Sequence, residues 1–142
     1  MRTIKYIVLH CTATPQTAKI ESIQRYWKEK LKWKSPGYHF IIKPDGTPVP
    51  LQPIELPSNG VAGFNKNAIH ISYIGGVDAK GKTVDNRTGL QKKTQVDLLR
   101  ELTNKFPDAK ICGHRDFPGV SKECPSFDVA EWLKTVDINP MA

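Results

Sequence analysis

The sequence contains 142 residues, of which 39% are hydrophobic and 25% charged, as in an ordinary globular domain with one hydrophobic core. No apolar run approaches the length of a membrane span, so we expect no membrane association and predict one domain over residues 1–142. The 21 Lys and Arg residues outnumber the 14 Asp and Glu residues, and the net charge of +7 favours an anionic partner such as nucleic acid or a wall polymer. Scattered lysines are equally typical of a well-solvated surface.

The first predicted element is a strand over Ile4–His10, which is almost continuously apolar from Tyr6 and therefore suits the centre of a sheet. His10 stands at its carboxyl end, where α/β sheets usually place ligand-binding groups, although a hydrogen-bonded core histidine is the alternative. A helix follows, because Ile20, Ile23, Trp27 and Leu31 recur at helical spacing until Pro36 and Gly37 interrupt the pattern.

A second strand is predicted over Gly37–Ile42, and the turn at Pro44–Gly46 makes it the first arm of a hairpin. Side chains alternate along a strand, so only one of Tyr38 and His39 is expected to face a given cleft. The segment 50–67 is rich in Pro, Gly and Asn and is predicted to be a long loop, which in a compact domain is often functional.

The remaining elements are a third strand over Ala68–Ile74, a helix over Gln91–Phe106, a short strand over Ala109–His114 and a final helix. We interpret His70, inside the third strand, as a structural histidine. Ser126 is predicted to be the N-cap of the last helix, with Asp128 in its first turn. Together these elements predict an α/β fold, with a mixed central β-sheet flanked by about three helices.

The loop over Cys112–Pro125 brings an imidazole, a lysine and a thiol into one short segment rich in turn formers. His114 and Cys124 are residue types that zinc prefers, and a catalytic zinc site needs a third protein ligand. His10 can supply it if the strands that end at His10 and His114 are neighbours in the sheet. Two histidines and one cysteine leave a tetrahedral position open for water or substrate. A histidine and a cysteine that are merely packed or solvated are the alternative.

The sequence has three cysteines: Cys11, Cys112 and Cys124. An odd and low number does not form a disulfide framework, and it favours reduced thiols or a metal site. Strand alternation turns Cys11 away from the side that His10 uses. Cys112 shares a face with His114 but lies about 6–7 Å back along the strand. We therefore predict structural roles for Cys11 and Cys112.

Several motifs, in this order along the chain, resemble those of zinc-dependent N-acetylmuramoyl-L-alanine amidases: Val8–Thr14, Gly37–Ile42 with Pro44–Gly46, Ile74–Gly76, and His114 with Lys122–Asp128. More narrowly, the chain is similar to amidase-type phage lysozymes, which are relatives of animal peptidoglycan recognition proteins. The resemblance implies that His10, His114 and Cys124 bind zinc and that Tyr38 and Lys122 serve the reaction.

The reaction that the resemblance implies is hydrolysis of the amide bond between the lactyl group of N-acetylmuramic acid and L-alanine in peptidoglycan. Lys122 is then expected to stabilise the oxyanion, and Tyr38 to donate or relay a proton. Two departures stand out. Relatives often carry a histidine in the loop that here reads Ser58–Gly63, and some place a glutamate as catalytic base where this chain has Tyr38.

Two other functions share these features: a non-catalytic peptidoglycan-recognition module, which typically lacks the metal cysteine, and a phage-type protein that also binds an RNA polymerase. The sequence has no nucleic-acid motif, so we expect no nucleic acid partner and a monomer that acts on peptidoglycan. The first ten residues predict a strand rather than a signal peptide. We therefore expect synthesis in the cytoplasm and action on the cell wall after release or secretion.

Overall fold

The computed structural model describes residues 2–120 and 122–138 and contains one mixed sheet with helices on both of its faces. The strands are β1 (Tyr6–Cys11), β2 (Phe40–Ile42), β3 (Pro48–Pro50), β4 (Ala68–Tyr73) and β5 (Lys110–Gly113), and the helices are α1 (Ile20–Glu29), α2 (Gly89–Lys105) and α3 (Val129–Thr135). The strand order is β3-β2-β4-β1-β5, and all pairs are parallel except the β2–β3 hairpin. The predicted mixed sheet with three helices is confirmed.

The near-continuous apolar run of β1 accounts for its place inside the sheet, between β4 and β5. A strand with parallel neighbours on both sides and layers above and below must bury every side chain, which favours β-branched and aliphatic residues. Five of its six residues are accordingly buried. In this register Leu9 lies opposite Gly113 of β5, and His10 lies opposite Ser72 of β4. The carboxyl ends of β1 and β5 therefore meet at one edge of the sheet.

The two faces of β1 bury different residues against different helices. On one face Leu9 and Cys11 belong to the main core cluster, together with Leu99 of α2 and Leu133 of α3. The opposite face carries His10 and lies on the side of α1, whose buried Trp27 packs against neighbouring strands and loops. Helices α2 and α3 thus close one face, while α1 covers part of the other and leaves a cleft beside His10.

Some predicted boundaries differ from the observed ones. Cys11 is the last residue of β1 rather than the start of a loop, and the strand predicted from Gly37 begins only at Phe40. Helix α2 begins earlier than predicted, because the Thr88 hydroxyl accepts from the Gln91 amide and the Gln91 side chain accepts from the Thr88 amide.

The predicted N-cap of the last helix is wrong. Asp128 is the cap, since its carboxylate accepts a hydrogen bond from the Glu131 amide at 3.1 Å. Ser126 instead lies in a left-handed turn with φ 72°, and its hydroxyl donates to the Gly76 carbonyl at 2.9 Å. Within the described residues, no helix has the length and apolar character needed to cross a membrane.

Candidate metal centre

Three side chains that could hold a metal ion converge at the carboxyl ends of β1 and β5. One potential ligand atom from each of His10, His114 and Cys124 lies within 4.8 Å of the other two. The strand register explains the histidine pair: Leu9 lies opposite Gly113, so the next residue of each strand meets its counterpart across the same edge. The two imidazole rings have centroids 4.9 Å apart. The strands that lead to His10 and His114 are therefore neighbours in the sheet, as predicted.

Cys124 reaches the site because the loop after β5 folds back onto the end of the strand. The Arg115 amide donates to the Cys124 carbonyl at 2.9 Å, which closes the loop near its base. Gly113 is needed there, because a Cβ at this position would lie 2.8 Å from Cδ of Pro125. The Cys124 sulfur ends up 3.8 Å from Nδ1 of His10 and accepts from the Cys11 amide at 3.2 Å.

This donor set fits zinc in both chemistry and spacing. Zinc–nitrogen bonds of about 2.1 Å and zinc–sulfur bonds of about 2.3 Å place tetrahedral ligand atoms roughly 3.5 Å apart. The 3.8 Å between His10 Nδ1 and Cys124 Sγ is close to that separation. The predicted ligands therefore need only small adjustments to surround one ion, and a three-residue set leaves a position for water or substrate.

Burial keeps both histidines in the neutral form that metal binding requires. It lowers the pKa of His114 to about 4, with a further lowering by the charge of Lys122. Burial also holds the pKa of His10 well below its usual value, with smaller effects from His70 and His114. In the metal-free protein, a hydrogen bond with the side chain of Cys11 and burial raise the pKa of the Cys124 thiol, while the Cys11 backbone amide has a smaller, opposite effect. A cation in the site would oppose this by favouring the thiolate.

Tyr38 borders the metal centre from the segment just before β2. Its ring centroid lies 5.0 Å from that of His10 and 5.4 Å from that of Trp27, and its hydroxyl donates to the Cys11 carbonyl at 3.2 Å. Burial, with a smaller contribution from Cys124, raises the pKa of this hydroxyl, so it stays protonated at neutral pH. Of the two adjacent residues, Tyr38 lines the cleft and His39 is buried behind it, as strand alternation predicts.

Lys122 lies at the rim of the same cleft, two residues before Cys124. Its side chain is exposed, and its charge is near enough to the metal centre to lower the pKa of His114. The loop that delivers the thiol therefore also delivers an ammonium group. The structure thus gathers all five predicted site residues, His10, Tyr38, His114, Lys122 and Cys124, around one cleft.

The cleft has a volume of about 700 Å³ and one largely apolar wall. That wall comes from α1 and the turn after it, including Tyr26, Trp27, Leu31 and Trp33. Tyr26 is 54% exposed and Leu31 is 38% exposed, so apolar surface stays open to solvent beside the metal centre. An apolar surface of this kind, lining a cleft with a few polar groups, is typical of a ligand-binding site.

Cys11 and Cys112 lie outside the three-ligand group. The Cys11 side chain points into the main core, with its sulfur 3.7 Å from the Ser126 hydroxyl. Cys112 packs with Val8 and Phe117, and burial raises the pKa of its thiol to about 12.

The sequence interpretation missed one contact, that of His70 with the site. Its Nδ1 atom lies 2.8 Å from Nε2 of His10, so the residue interpreted as structural is hydrogen-bonded to a candidate ligand. The signal is a second histidine on the same face of an adjacent strand: Val8 lies opposite His70, and Val8 and His10 share a face. That signal is visible only once the pairing of β1 with β4 is known.

A His-His-Cys group beside an open cleft could hold one metal ion and leave a coordination position for water or substrate, which is the ligand set of catalytic rather than structural sites. The profile of the N-acetylmuramoyl-L-alanine amidase family matches residues 1–127, and the chain belongs to this family. It is 34% identical over 131 residues to an endolysin of Enterobacteria phage K11, covering 92% of this chain and 85% of the relative.

Solved structures agree with this assignment. The N-acetylmuramoyl-L-alanine amidase LysC from Clostridium intestinale superposes with a TM-score of 0.80 at 25% identity, covering 97% of this chain and 88% of that one. A Drosophila peptidoglycan recognition protein, PGRP-SA, shares the fold with a TM-score of 0.78 at 20% identity, covering 99% of this chain and 82% of that one. The predicted amidase and peptidoglycan-recognition fold is therefore confirmed.

Proposed function

We propose that this protein is a zinc-dependent hydrolase that cleaves the amide bond between the lactyl group of N-acetylmuramic acid and L-alanine in peptidoglycan. The observation that carries the proposal is the convergence of His10, His114 and Cys124 at a cleft, in a chain of the amidase family. The endolysin name of the phage relative supports action on the bacterial cell wall after release from the cytoplasm. We propose that the monomer is the active form.

The proposed zinc ligands are His10, His114 and Cys124. Bound zinc would lower the pKa of a water molecule toward 7 and polarise the scissile carbonyl. The protein's part is to present two neutral imidazoles and one thiolate from backbone that is already fixed. Strand β1 holds His10, the turn directly after β5 holds His114, and the Cys11 amide and the Arg115 amide hold the cysteine.

Lys122 and Tyr38 are the proposed catalytic residues. As the amide carbon becomes tetrahedral, negative charge develops on the carbonyl oxygen, and a cation placed there stabilises the transition state more than the substrate. The exposed ammonium of Lys122 at the cleft rim is suited to this role. The Tyr38 hydroxyl is protonated and donates to the Cys11 carbonyl, and it can turn toward the substrate and donate a hydrogen bond there instead.

The substrate is proposed to lie along the apolar wall formed by α1 and the following turn. Sugar rings stack on exposed aromatic faces, and the peptide can extend along the same cleft beside Tyr26 and Trp33. The net charge of +7 attracts an anionic wall polymer over a longer range.

The test is digestion of purified peptidoglycan with simultaneous measurement of new amino groups and new reducing sugar ends. Hydrolysis at this amide releases the α-amine of L-alanine and creates no reducing end, so we expect amines to rise alone. Chelated protein and the Cys124→Ala variant serve as controls and are expected to be inactive. Reducing ends without amines, or full activity in the Cys124→Ala variant, would contradict the proposal.

A further inference from the structure

His70 connects the candidate metal centre to the long loop that precedes β4. The residue is buried in β4, with Nδ1 at 2.8 Å from Nε2 of His10 and Nε2 at 2.8 Å from Oδ1 of Asn65. These two contacts form a continuous chain of hydrogen bonds from the loop through His70 to His10. The chain ends on the far side of the His10 ring, where Nδ1 faces the sulfur of Cys124 at 3.8 Å.

The donor and the acceptor of each of these hydrogen bonds can be assigned by starting from the end that lies in the loop. The backbone amide of Val61 can only donate, and it lies 2.7 Å from Oδ1 of Asn65, which identifies that atom as the amide oxygen. Since this oxygen accepts, Nε2 of His70 must carry the proton that completes the 2.8 Å contact. A neutral imidazole has one N–H group, so Nδ1 of His70 is a bare acceptor.

The same reasoning determines which ring nitrogen of His10 carries the proton. Its Nε2 must carry the proton that bonds to the bare Nδ1 of His70, which leaves Nδ1 of His10 without a proton. This unprotonated nitrogen is the one that faces Cys124. A backbone amide in the loop therefore determines, through two side chains, which nitrogen of His10 is free to bind a metal.

The loop is shaped to accept the His70 ring. A Cβ at position 60 would lie 2.2 Å from Nδ1 of His70, so only glycine allows the loop to pass this close. On the other side His39 accepts from the backbone amide of His70 at 3.0 Å, and the two rings lie nearly parallel. The ring is thus enclosed by Gly60, Asn65 and His39, which leaves it little freedom to rotate.

We propose that His70 and Asn65 are positioning residues that hold His10 in the Nε2-protonated tautomer and so present its Nδ1 lone pair to the metal. The inference rests on the proposed function, because it takes His10 to be a zinc ligand. Partners of this kind fix the orientation and tautomer of a ligating histidine, and their loss typically costs about 10- to 100-fold in metal affinity.

The first test uses the metal-free wild-type protein with ¹⁵N-labelled histidine. Long-range ¹H–¹⁵N correlation spectra distinguish a protonated from a bare ring nitrogen, and we expect Nε2 to be protonated and Nδ1 bare in both His10 and His70. A proton on Nδ1 of His10 would overturn the proposal. This measurement needs no zinc. It therefore shows whether His70 and Asn65 set the tautomer of His10 even if the wild-type protein fails to bind zinc and the proposed function is wrong.

The second test measures zinc affinity by competition with a chromogenic chelator. His70→Leu removes both hydrogen-bonding atoms while retaining bulk, and we expect affinity to fall about 10- to 100-fold. His70→Gln offers one acceptor and one donor in place of the two ring nitrogens, and is expected to bind within a few-fold of wild type. If the His70→Leu variant bound zinc as tightly as wild type, the proposed positioning role of His70 would be wrong.

A control variant separates the loss of these hydrogen bonds from the general effect of replacing a buried polar side chain. Gln95→Leu removes a fully buried amide on α2 that accepts a hydrogen bond from Arg87, on the other face of the sheet from His10, and should leave zinc affinity unchanged. Far-ultraviolet circular dichroism of each metal-free variant reports whether it folds. If His70→Leu does not fold, Asn65→Ala provides the same test from the outer end of the chain, with the same expected loss.

Discussion

The backbone amide of Cys11 donates a hydrogen bond of 3.2 Å to the sulfur of Cys124, although the two residues are 113 positions apart in sequence. This contact ties the loop after β5 to the end of β1, next to His10. An N–H group that points at a sulfur atom favours its thiolate form over its thiol form. The bond thus both positions the proposed third ligand and prepares it for a cation.

We expect one zinc ion per chain, and its loss on replacing His10, His114 or Cys124 by Ala. Three ligands act together, so removal of one leaves a site that cannot complete the coordination. Elemental analysis after extensive dialysis measures the metal content. Cys112→Ala is the matched control, because that buried thiol lies outside the ligand group, and it should retain zinc. Full zinc in all three ligand variants would disprove the site.

Replacing Lys122 by Ala should reduce kcat/KM by about 10²-fold or more while zinc content stays at one, because the cation acts on charge that develops in the transition state. The measurement is turnover of a muramyl-peptide substrate, with zinc determined in each preparation. Lys134→Ala, an exposed lysine on α3, is the control and should behave as wild type. An unchanged kcat in Lys122→Ala would leave Lys122 as a surface residue.

Replacing Tyr38 by Phe should also lower kcat by about 10²-fold, since the ring remains and only the hydroxyl donor is lost. Zinc content and the thermal midpoint should change little, because the ring still packs against His10 and Trp27 and the main loss is the hydrogen bond to the Cys11 carbonyl. Tyr26→Phe is the control, as that ring lies on the cleft wall and is largely exposed. If both variants retain full turnover, the Tyr38 ring serves packing alone.

The metal-free protein should lose stability as the pH falls from about 6.5 to about 4, partly because of His39. Burial lowers the pKa of His39 to about 4, a weaker hydrogen-bond effect from the Leu56 carbonyl raises it, and the charge of Arg2 lowers it further. Between the two pKa values the unfolded chain binds a proton that the folded protein excludes, so stability rises with pH in this window.

The expected contribution of His39 is on the order of 1–2 kcal/mol between pH 7 and pH 5. Urea unfolding at both pH values measures it, and the His39→Gln variant should show a smaller difference between them. An identical pH dependence in wild type and variant would mean that His39 does not titrate as its surroundings require.

The three residues of the candidate metal centre could be picked out from the sequence because each lies in a local pattern with a physical meaning. His10 ends an apolar run that must be a central strand, and Cys124 and His114 flank a loop rich in turn formers. The order of the strands in the sheet could not be predicted, because the sequence of a short parallel strand does not indicate which strands lie beside it. The role of His70 depends on that order, so its contact with His10 was missed.

The wrong N-cap prediction for α3 has a different cause. Ser126 and Asp128 are both good N-cap residues, and local propensity does not separate them. A tertiary contact decides between them. The Ser126 hydroxyl donates to the Gly76 carbonyl, and this hydrogen bond holds Ser126 in a turn before the helix starts. Tertiary contacts of this kind cannot be read from a propensity scale.

The position of β1 in the sheet has a consequence for the timing of biosynthesis. The strand that carries His10 is made first, but its two neighbours, β4 and β5, appear about 60 and 100 residues later, and Cys124 after both. A nascent chain therefore contains one of its three proposed ligands, His10, long before the other two are made. The proposed zinc site can therefore be completed only after translation has passed Cys124, and a chain released earlier would lack one of its three ligands.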